Sequence, residues 1–241
     1  MVKLLLITFQ RTGSTHLVRS LDKNINVKLS GELLYNGSGV YNAEFKFKDC
    51  NFTKNKTINQ IIKLIRSNFY TRRHLNQYFA FRHEYDIVGF KLMLSQLLFV
   101  PMMIFYILRN PDVKIVFLTR RKVFECAMSN YYASETGVYH SWEKQGSSQQ
   151  NPTTIELRKL RKLVSKVKRS NTVIICLSKL FRDSLLMDHD NLFDLNDAFG
   201  KIEREYGIKL KSSVENNPRE DINIKYKKKF TNYEVIKAKF R

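Results

Sequence analysis

The chain has 241 residues, a hydrophobic fraction of 43% and a formal net charge of +20 at pH 7. Its length predicts one domain, residues 1–241, and its apolar content supports a sizeable core, which excludes an intrinsically disordered chain. The excess of Lys and Arg favours an anionic partner, such as a nucleotide, a sulfated or phosphorylated substrate, nucleic acid or a membrane surface. A solvated Lys-rich surface would give the same charge.

Three scattered cysteines, Cys50, Cys126 and Cys176, have no CxxC spacing. They argue for a reducing compartment and against a disulfide framework or a zinc site. The apolar run at the N-terminus is too short for the core of a signal peptide, and Pro101 interrupts the apolar stretch 97–108. We therefore expect a soluble protein, cytoplasmic or otherwise intracellular, without a transmembrane segment or a metal centre.

The N-terminal segment combines a strand, a tight loop and the start of a helix. Residues 2–9 predict a buried strand and 14–22 predict a helix, and between them lies Gln10-Arg11-Thr12-Gly13-Ser14-Thr15-His16. The N–H groups and helix dipole at such a junction attract a negative group, and the Arg11 guanidinium adds further donors. The pattern predicts a phosphate or sulfate site. It lacks the GxxxxGK[ST] pattern of a Walker P-loop, and a plain turn that needs Gly13 for its backbone is the alternative.

The rest of the chain alternates helical and strand patterns. Residues 24–56 predict loops with short strands, 140–153 predict a polar loop, and the tail is basic around 227–229. Helical spacing occurs at 57–73, 74–83, 101–109, 123–134, 154–169 and 192–206, the last ended by Gly207, and buried strands are predicted at 86–91, 113–119 and 172–177.

Apolar strands separated by helices predict an α/β protein, a three-layer sandwich with a central parallel sheet. Ligands of such sheets bind at the carboxyl ends of the strands, so the Arg11 loop and the pair Arg120-Arg121 are predicted at one edge. Ser129 follows Arg121 by eight positions, within the next predicted helix. Arg121 and Ser129 together could hold a phosphate; a surface arginine and an ordinary helical serine are the alternative.

Several of these segments resemble the PAPS-dependent sulfotransferases, where PAPS is 3′-phosphoadenosine 5′-phosphosulfate. Arg11–Thr15 resembles their 5′-phosphosulfate loop, and Arg121 to Ser129, followed by Asn130-Tyr131-Tyr132, resembles their 3′-phosphate motif. Weaker similarities run in family order: the strand at 87–91, a later core strand at 173–177 and a closing helix at 232–234. Residues 133–140 are similar to the bacterial trehalose-type branch and to carbohydrate sulfotransferases.

This resemblance implies a P-loop-like sulfotransferase fold and an enzyme that moves the sulfuryl group of PAPS to a hydroxyl, leaving PAP. It implies that the 5′-phosphosulfate is bound by Arg11, Thr12, Gly13, Ser14, Thr15 and His16, and the 3′-phosphate by Arg121 and Ser129. Arg11 stands where cytosolic small-molecule branches carry a lysine, as in the carbohydrate, tyrosyl-protein and bacterial branches, which points away from a phenol or steroid acceptor.

Several branches of this family place a glutamate after the first helix and second strand. The resemblance therefore makes Glu32, within Ser30-Gly31-Glu32-Leu33-Leu34, the candidate general base, with Arg11 as the second catalytic residue. His16 and His140 are rival bases, and an exposed loop glutamate is the alternative interpretation of Glu32. Lys91 ends a predicted strand, where it either faces the site or is solvated.

Two other functions stay open. The charge and twelve tyrosines are compatible with a nucleic-acid-binding protein, although no helix-turn-helix, zinc or RRM signature is visible. The second open function is that of a homologue that binds PAP or PAPS and has no transferase activity.

Overall fold

A computed structural model of the chain describes residues 1–32, 75–80, 82–99, 101–137, 153–210, 226–227 and 229–240. Within these ranges, five strands form one sheet: β1 (Val2–Thr8), β2 (Val27–Glu32), β3 (Ile87–Met93), β4 (Val113–Thr119) and β5 (Ser184–Asp188). Their order is β2-β3-β1-β4-β5, and every neighbouring pair is parallel. The α/β class with a central parallel sheet is confirmed.

Helices connect these strands. Within the described residues they are α1 (Ser14–Asp22), α2 (75–80), α3 (Leu94–Phe99), α4 (Pro101–Arg109), α5 (Val123–Thr136), α6 (Leu157–Leu180), a 3-10 helix (His189–Phe193), α7 (Leu195–Tyr206) and α8 (Tyr233–Ala238). No helix in the described ranges is both long and apolar enough to cross a bilayer.

The chain divides into two compact units. The first contains Met1–Thr119 and Ile174–Glu215, and therefore the whole sheet; the second contains Arg120–Val173 and Asn216–Arg241. A single domain over residues 1–241 stays a prediction.

The core of the first unit lies on both faces of the sheet. Alternate residues of a strand face opposite sides, and β1 is buried from Leu4 to Thr8. Leu4 and Leu6 belong to a cluster of buried residues that includes members of α1 and α7. On the opposite face, the Phe90 ring of β3 lies 5.6 Å from that of Tyr78 in α2. Helices therefore cover both faces of the sheet, as a three-layer arrangement requires.

Gly89 lets β3 lie close to β1 at Leu4, with which it is in register. A Cβ atom at this position would lie 1.9 Å from the Leu4 carbonyl oxygen. The Tyr78 hydroxyl lies 2.6 Å from the Gly89 carbonyl oxygen and 2.8 Å from the Ser30 hydroxyl, and burial raises the pKa of Tyr78. These contacts fix β2 and β3 against each other, and with them the ends of both strands.

The second unit is built on aromatic packing. The Tyr131 and Phe230 rings meet edge to face at 5.5 Å. The Asn232 side chain makes two hydrogen bonds with the backbone of Ile155, accepting from its N–H at 2.8 Å and donating to its carbonyl oxygen at 3.2 Å. These contacts attach the segment before α6 to the segment before α8.

The strand predicted at 172–177, including the core-strand similarity at 173–177, is wrong. These residues continue α6, which runs from Leu157 to Leu180. Leu160, Val167 and Ile174 are buried at a spacing of seven residues, which is two helical turns, whereas Val173 and Ile175 are 36% and 39% exposed. The strand that follows β4 in the sheet is β5, which begins seven residues beyond the end of the predicted strand.

Other boundaries differ less. The predicted helix at 154–169 begins at Leu157, and the predicted helix at 192–206 is divided between the 3-10 helix and α7. Gly207 ends α7 with a φ of 65°, as predicted. The predictions for 57–73, for 140–152 and for Lys228 fall outside the described residues.

Candidate functional site

The loop that follows β1 lies at the carboxyl edge of the sheet. β1 runs between β3 and β4, and its last residue, Thr8, has a hydroxyl 3.4 Å from the Leu118 carbonyl oxygen near the end of β4. The chain then turns within five residues and enters α1 at Ser14. This is the edge at which parallel sheets bind ligands.

Two residues of the loop have left-handed backbone conformations. Gly13 has a φ of 79° and Arg11 a φ of 65°, and Arg11 is the one described residue other than glycine with a positive φ. The left-handed region costs a residue with a Cβ about 1–2 kcal/mol. Such strain is found where a backbone is shaped for function.

The first turn of α1 has the properties of an anion site. Gly13 is the N-cap residue and, as a glycine, has no side chain with which to cap this turn. The His16 N–H donates to the Gly13 carbonyl oxygen at 2.9 Å, so it closes the turn. The N-cap residue thus supplies no oxygen to the free N–H groups of this turn, and their partial positive charge favours a phosphate or sulfate.

Thr12 holds the loop against the sheet, and Ser14 is buried close to it in sequence. Thr12 is fully buried, and its hydroxyl donates to the Phe9 carbonyl oxygen at 3.1 Å and lies beside the Thr8 hydroxyl. Ser14 is 6% exposed. The Thr12 side chain therefore supports the loop from inside.

Lys91 adds a buried cation to this turn. It lies in β3, in register with Leu6 of β1, and is 7% exposed. Its Nζ donates a hydrogen bond to Thr15 Oγ1 at 3.2 Å. The ammonium adds positive charge beside the first turn of α1, which favours a negative group there. Of the two interpretations of Lys91, the solvated strand end is wrong.

The His189 ring lies beside Gly13, and no sequence pattern indicated it as a functional residue. It begins the 3-10 helix after β5, is 5% exposed, and has its Nδ1 3.7 Å from Asp190 Oδ1. A Cβ added to Gly13 would come within 2.8 Å of the His189 ring. The ring therefore limits where the loop can lie.

Glu32 is the last residue of β2 and is in register with Lys91. A register shift between Ser30 and Glu32 marks an irregularity at this strand end. The rival base His16 lies in the first turn of α1, whereas His140 falls outside the described residues.

The other predicted phosphate site is in the second unit. Arg121 is exposed and precedes α5, whose N-terminus at Lys122 has no side-chain cap. Ser129 lies within α5 and is 9% exposed. The Arg120 backbone before them is bound by Asn171 of α6. The convergence of Arg11 and Arg121 on one ligand stays a prediction.

Comparisons with known proteins support the fold. No family model matches the chain, and no curated protein matches its sequence. A solved sulfotransferase from Alicyclobacillus acidocaldarius has a similar structure, with a TM-score of 0.51 and 13% identity over 92% of this chain and 88% of that chain. An uncharacterized protein from Eubacterium ventriosum gives a TM-score of 0.39 and 10% identity over 86% of this chain and 98% of that chain, a similarity too distant to inform the fold. The chain therefore has a sulfotransferase-like, P-loop-like α/β fold.

Proposed function

We propose that this chain is a sulfotransferase. It moves the sulfuryl group of PAPS to a hydroxyl group of a carbohydrate-type acceptor. The observation that carries the proposal is the junction of the loop and α1, which combines a glycine N-cap, a left-handed Arg11 and the buried Lys91 bound to Thr15. The similarity of fold to a solved sulfotransferase supports it, as do the two motifs of the sequence.

The proposal assigns the two ends of PAPS to different motifs. The 5′-phosphosulfate is assigned to the loop and first turn, through backbone N–H groups, Arg11 and Lys91. The 3′-phosphate is assigned to Arg121 and Ser129, since a guanidinium and a hydroxyl suit a phosphate dianion. Preference for a 3′-phosphate would distinguish PAPS from ordinary adenylates.

The reaction is an in-line displacement at sulfur. The oxygen of the acceptor hydroxyl forms the new bond to sulfur, and Glu32 accepts the proton that this hydroxyl loses. The bond between sulfur and the 5′-phosphate oxygen breaks, and Arg11, Lys91 and the loop N–H groups stabilise the charge that develops on that oxygen. The products are a sulfate ester and PAP. Positioning and charge stabilisation supply most of the catalysis in transfers of this kind.

Binding of PAP tests the donor assignment without an acceptor. We expect the wild-type protein to be retained by immobilised PAP, and Arg121→Ala to reduce its affinity about tenfold or more, because a charge-assisted bond to phosphate is lost. Arg182→Ala, at an exposed position after α6, is the control. Failure of the wild type to bind PAP at low salt would remove the donor assignment.

Glu32→Gln separates catalysis from binding. The amide cannot accept the proton, so we expect transfer of labelled sulfate from PAPS to fall at least about a hundredfold, while the affinity for PAP changes little. The acceptor is found first with a panel of sugars, peptides and small alcohols. Undiminished transfer by Glu32→Gln would exclude it as base, and tight binding of PAP with no transfer to any acceptor would favour the inactive homologue.

Binding of nucleic acid is the second candidate, and α6 is the observation that favours it. The 24-residue helix contains no Asp or Glu. Its cations within the second unit are Arg158, Lys159, Arg161, Lys162, Lys166, Lys168 and Arg169, and among the described residues only Lys159 of these has an ion-pair partner, Glu135. Salt-dependent binding of DNA that is tighter than binding of PAP would support this candidate against the first.

A further inference from the structure

The side chain of Asn171 makes a two-bond contact with the backbone of Arg120. The Arg120 N–H donates to Asn171 Oδ1 at 3.2 Å, and Asn171 Nδ2 donates to the Arg120 carbonyl oxygen at 2.9 Å. Both residues belong to the second unit. The side-chain amide thus satisfies both polar groups of one residue, as a neighbouring strand would.

This contact lies next to the arginine assigned to the 3′-phosphate. Arg120 directly follows β4, and Arg121 follows Arg120. The Arg120 carbonyl belongs to the same peptide group as the Arg121 N–H, and this group is planar. Fixing the Arg120 carbonyl therefore fixes the peptide from which the Arg121 side chain leaves the backbone.

Helix packing alone does not explain an asparagine at this position. In α6 the buried residues Val167 and Ile174 are seven apart, and Asn171 lies between them on the same stripe. Asparagine is a poorer helix former than alanine or leucine, and an amide among apolar residues needs hydrogen-bond partners. The backbone of Arg120 supplies both.

We propose that Asn171 is a positioning residue for Arg121 and sets the preference for a 3′-phosphate. The inference rests on the proposed function, since it assumes that Arg121 binds that phosphate. Asn171 acts through the backbone and touches no ligand. Its loss should therefore affect ligands with a 3′-phosphate and spare those without one.

The chain offers a matched control for this position. Asn232 makes the same pair of bonds with the backbone of Ile155, in the same unit. Replacing either asparagine by alanine removes the side-chain partners of one backbone N–H and one backbone carbonyl group. A general loss of stability should be similar in the two variants, so a difference between them in ligand preference reports positioning.

The experiment is calorimetric titration of the full chain with PAP and with adenosine 5′-phosphate. We expect the wild type to bind PAP at least about tenfold tighter. Asn171→Ala should reduce this preference about fivefold or more with little change in the affinity for adenosine 5′-phosphate, and Asn232→Ala should retain it. Asn171→Asp, which keeps the acceptor oxygen but loses the donor, should shift the preference in the same direction and serves where the alanine variant does not fold.

The outcomes separate the two levels of the proposal. An unchanged preference in both Asn171 variants, or an equal loss in Asn171→Ala and Asn232→Ala, overturns the role of Asn171 and leaves the donor assignment in place. A wild type that binds both nucleotides equally overturns the assignment of Arg121, and this inference with it.

Discussion

Replacing Arg11 with alanine is expected to lower the rate of sulfuryl transfer at least about a hundredfold. A donor aimed at the charge that develops in a transition state contributes about that much. Arg11 is also held in a left-handed conformation, with a φ of 65°, in a loop proposed to bind the 5′-phosphosulfate. The measurement is single-turnover transfer from labelled PAPS to the best acceptor of the panel.

Arg11→Gly distinguishes a catalytic role from a structural one. Glycine relieves a left-handed strain of about 1–2 kcal/mol but loses about 0.5–1 kcal/mol through the entropy of the unfolded chain. Thermal unfolding should therefore show a stability close to or above that of the wild type, while transfer stays as low as in Arg11→Ala. Normal transfer by Arg11→Gly would show that the guanidinium is dispensable.

Gly13→Ala is expected to have the second large effect, on binding. Its Cβ would meet the His189 ring at 2.8 Å and the Leu192 side chain at 3.1 Å, at a φ of 79°. Both the strain and the clash move the loop away from its position, and the displaced loop makes weaker hydrogen bonds to a ligand. We expect the affinity for PAP to fall about tenfold or more by calorimetry.

Two further variants separate the clash from the strain. Gly207 also has a positive φ, of 65°, but a Cβ there meets nothing within 4 Å, so Gly207→Ala should lose about 1 kcal/mol of stability and keep its affinity for PAP. His189→Ala removes the ring, and the double variant Gly13→Ala/His189→Ala should recover part of the affinity lost in Gly13→Ala. Equal affinities in the single and double variants would show that the ring does not limit the loop.

The parts of the fold predicted best are those with a complete local signal. β4 and α1 have the predicted bounds, because their apolar residues follow one period and Gly13 marks the turn before α1. The loop motif depends on the same local pattern, and it lies at the carboxyl end of β1 as predicted.

The strand predicted at 172–177 failed for a reason that the structure makes clear. The apolar stripe of α6 is interrupted at Asn171, which binds the backbone of Arg120. In the sequence, the helical spacing of apolar residues therefore stops before Val173-Ile174-Ile175, a β-branched run that is typical of a strand. The true strand, β5, has only five residues and an exposed Leu186 at the edge of the sheet. The contact at Asn171 therefore hid the continuation of α6, and the shortness and exposure of β5 hid the strand.

The positions of Lys91 and His189 beside the loop could be recognised only from the tertiary structure. A lysine at the end of an apolar strand is compatible with burial or with solvation, and the contact of its Nζ with Thr15 depends on β3 lying beside β1. His189 follows β5, a strand that was not predicted, so no local signal placed it beside Gly13.

The most direct test of the account is a crystal structure of the full chain with PAP. We predict that the 5′-phosphate lies at the first turn of α1, with its oxygens about 2.7–3.2 Å from the backbone nitrogens of Ser14 and Thr15 and from Lys91 Nζ. A bound PAP whose 5′-phosphate lies elsewhere, with this turn left to solvent at saturating PAP, would contradict the account.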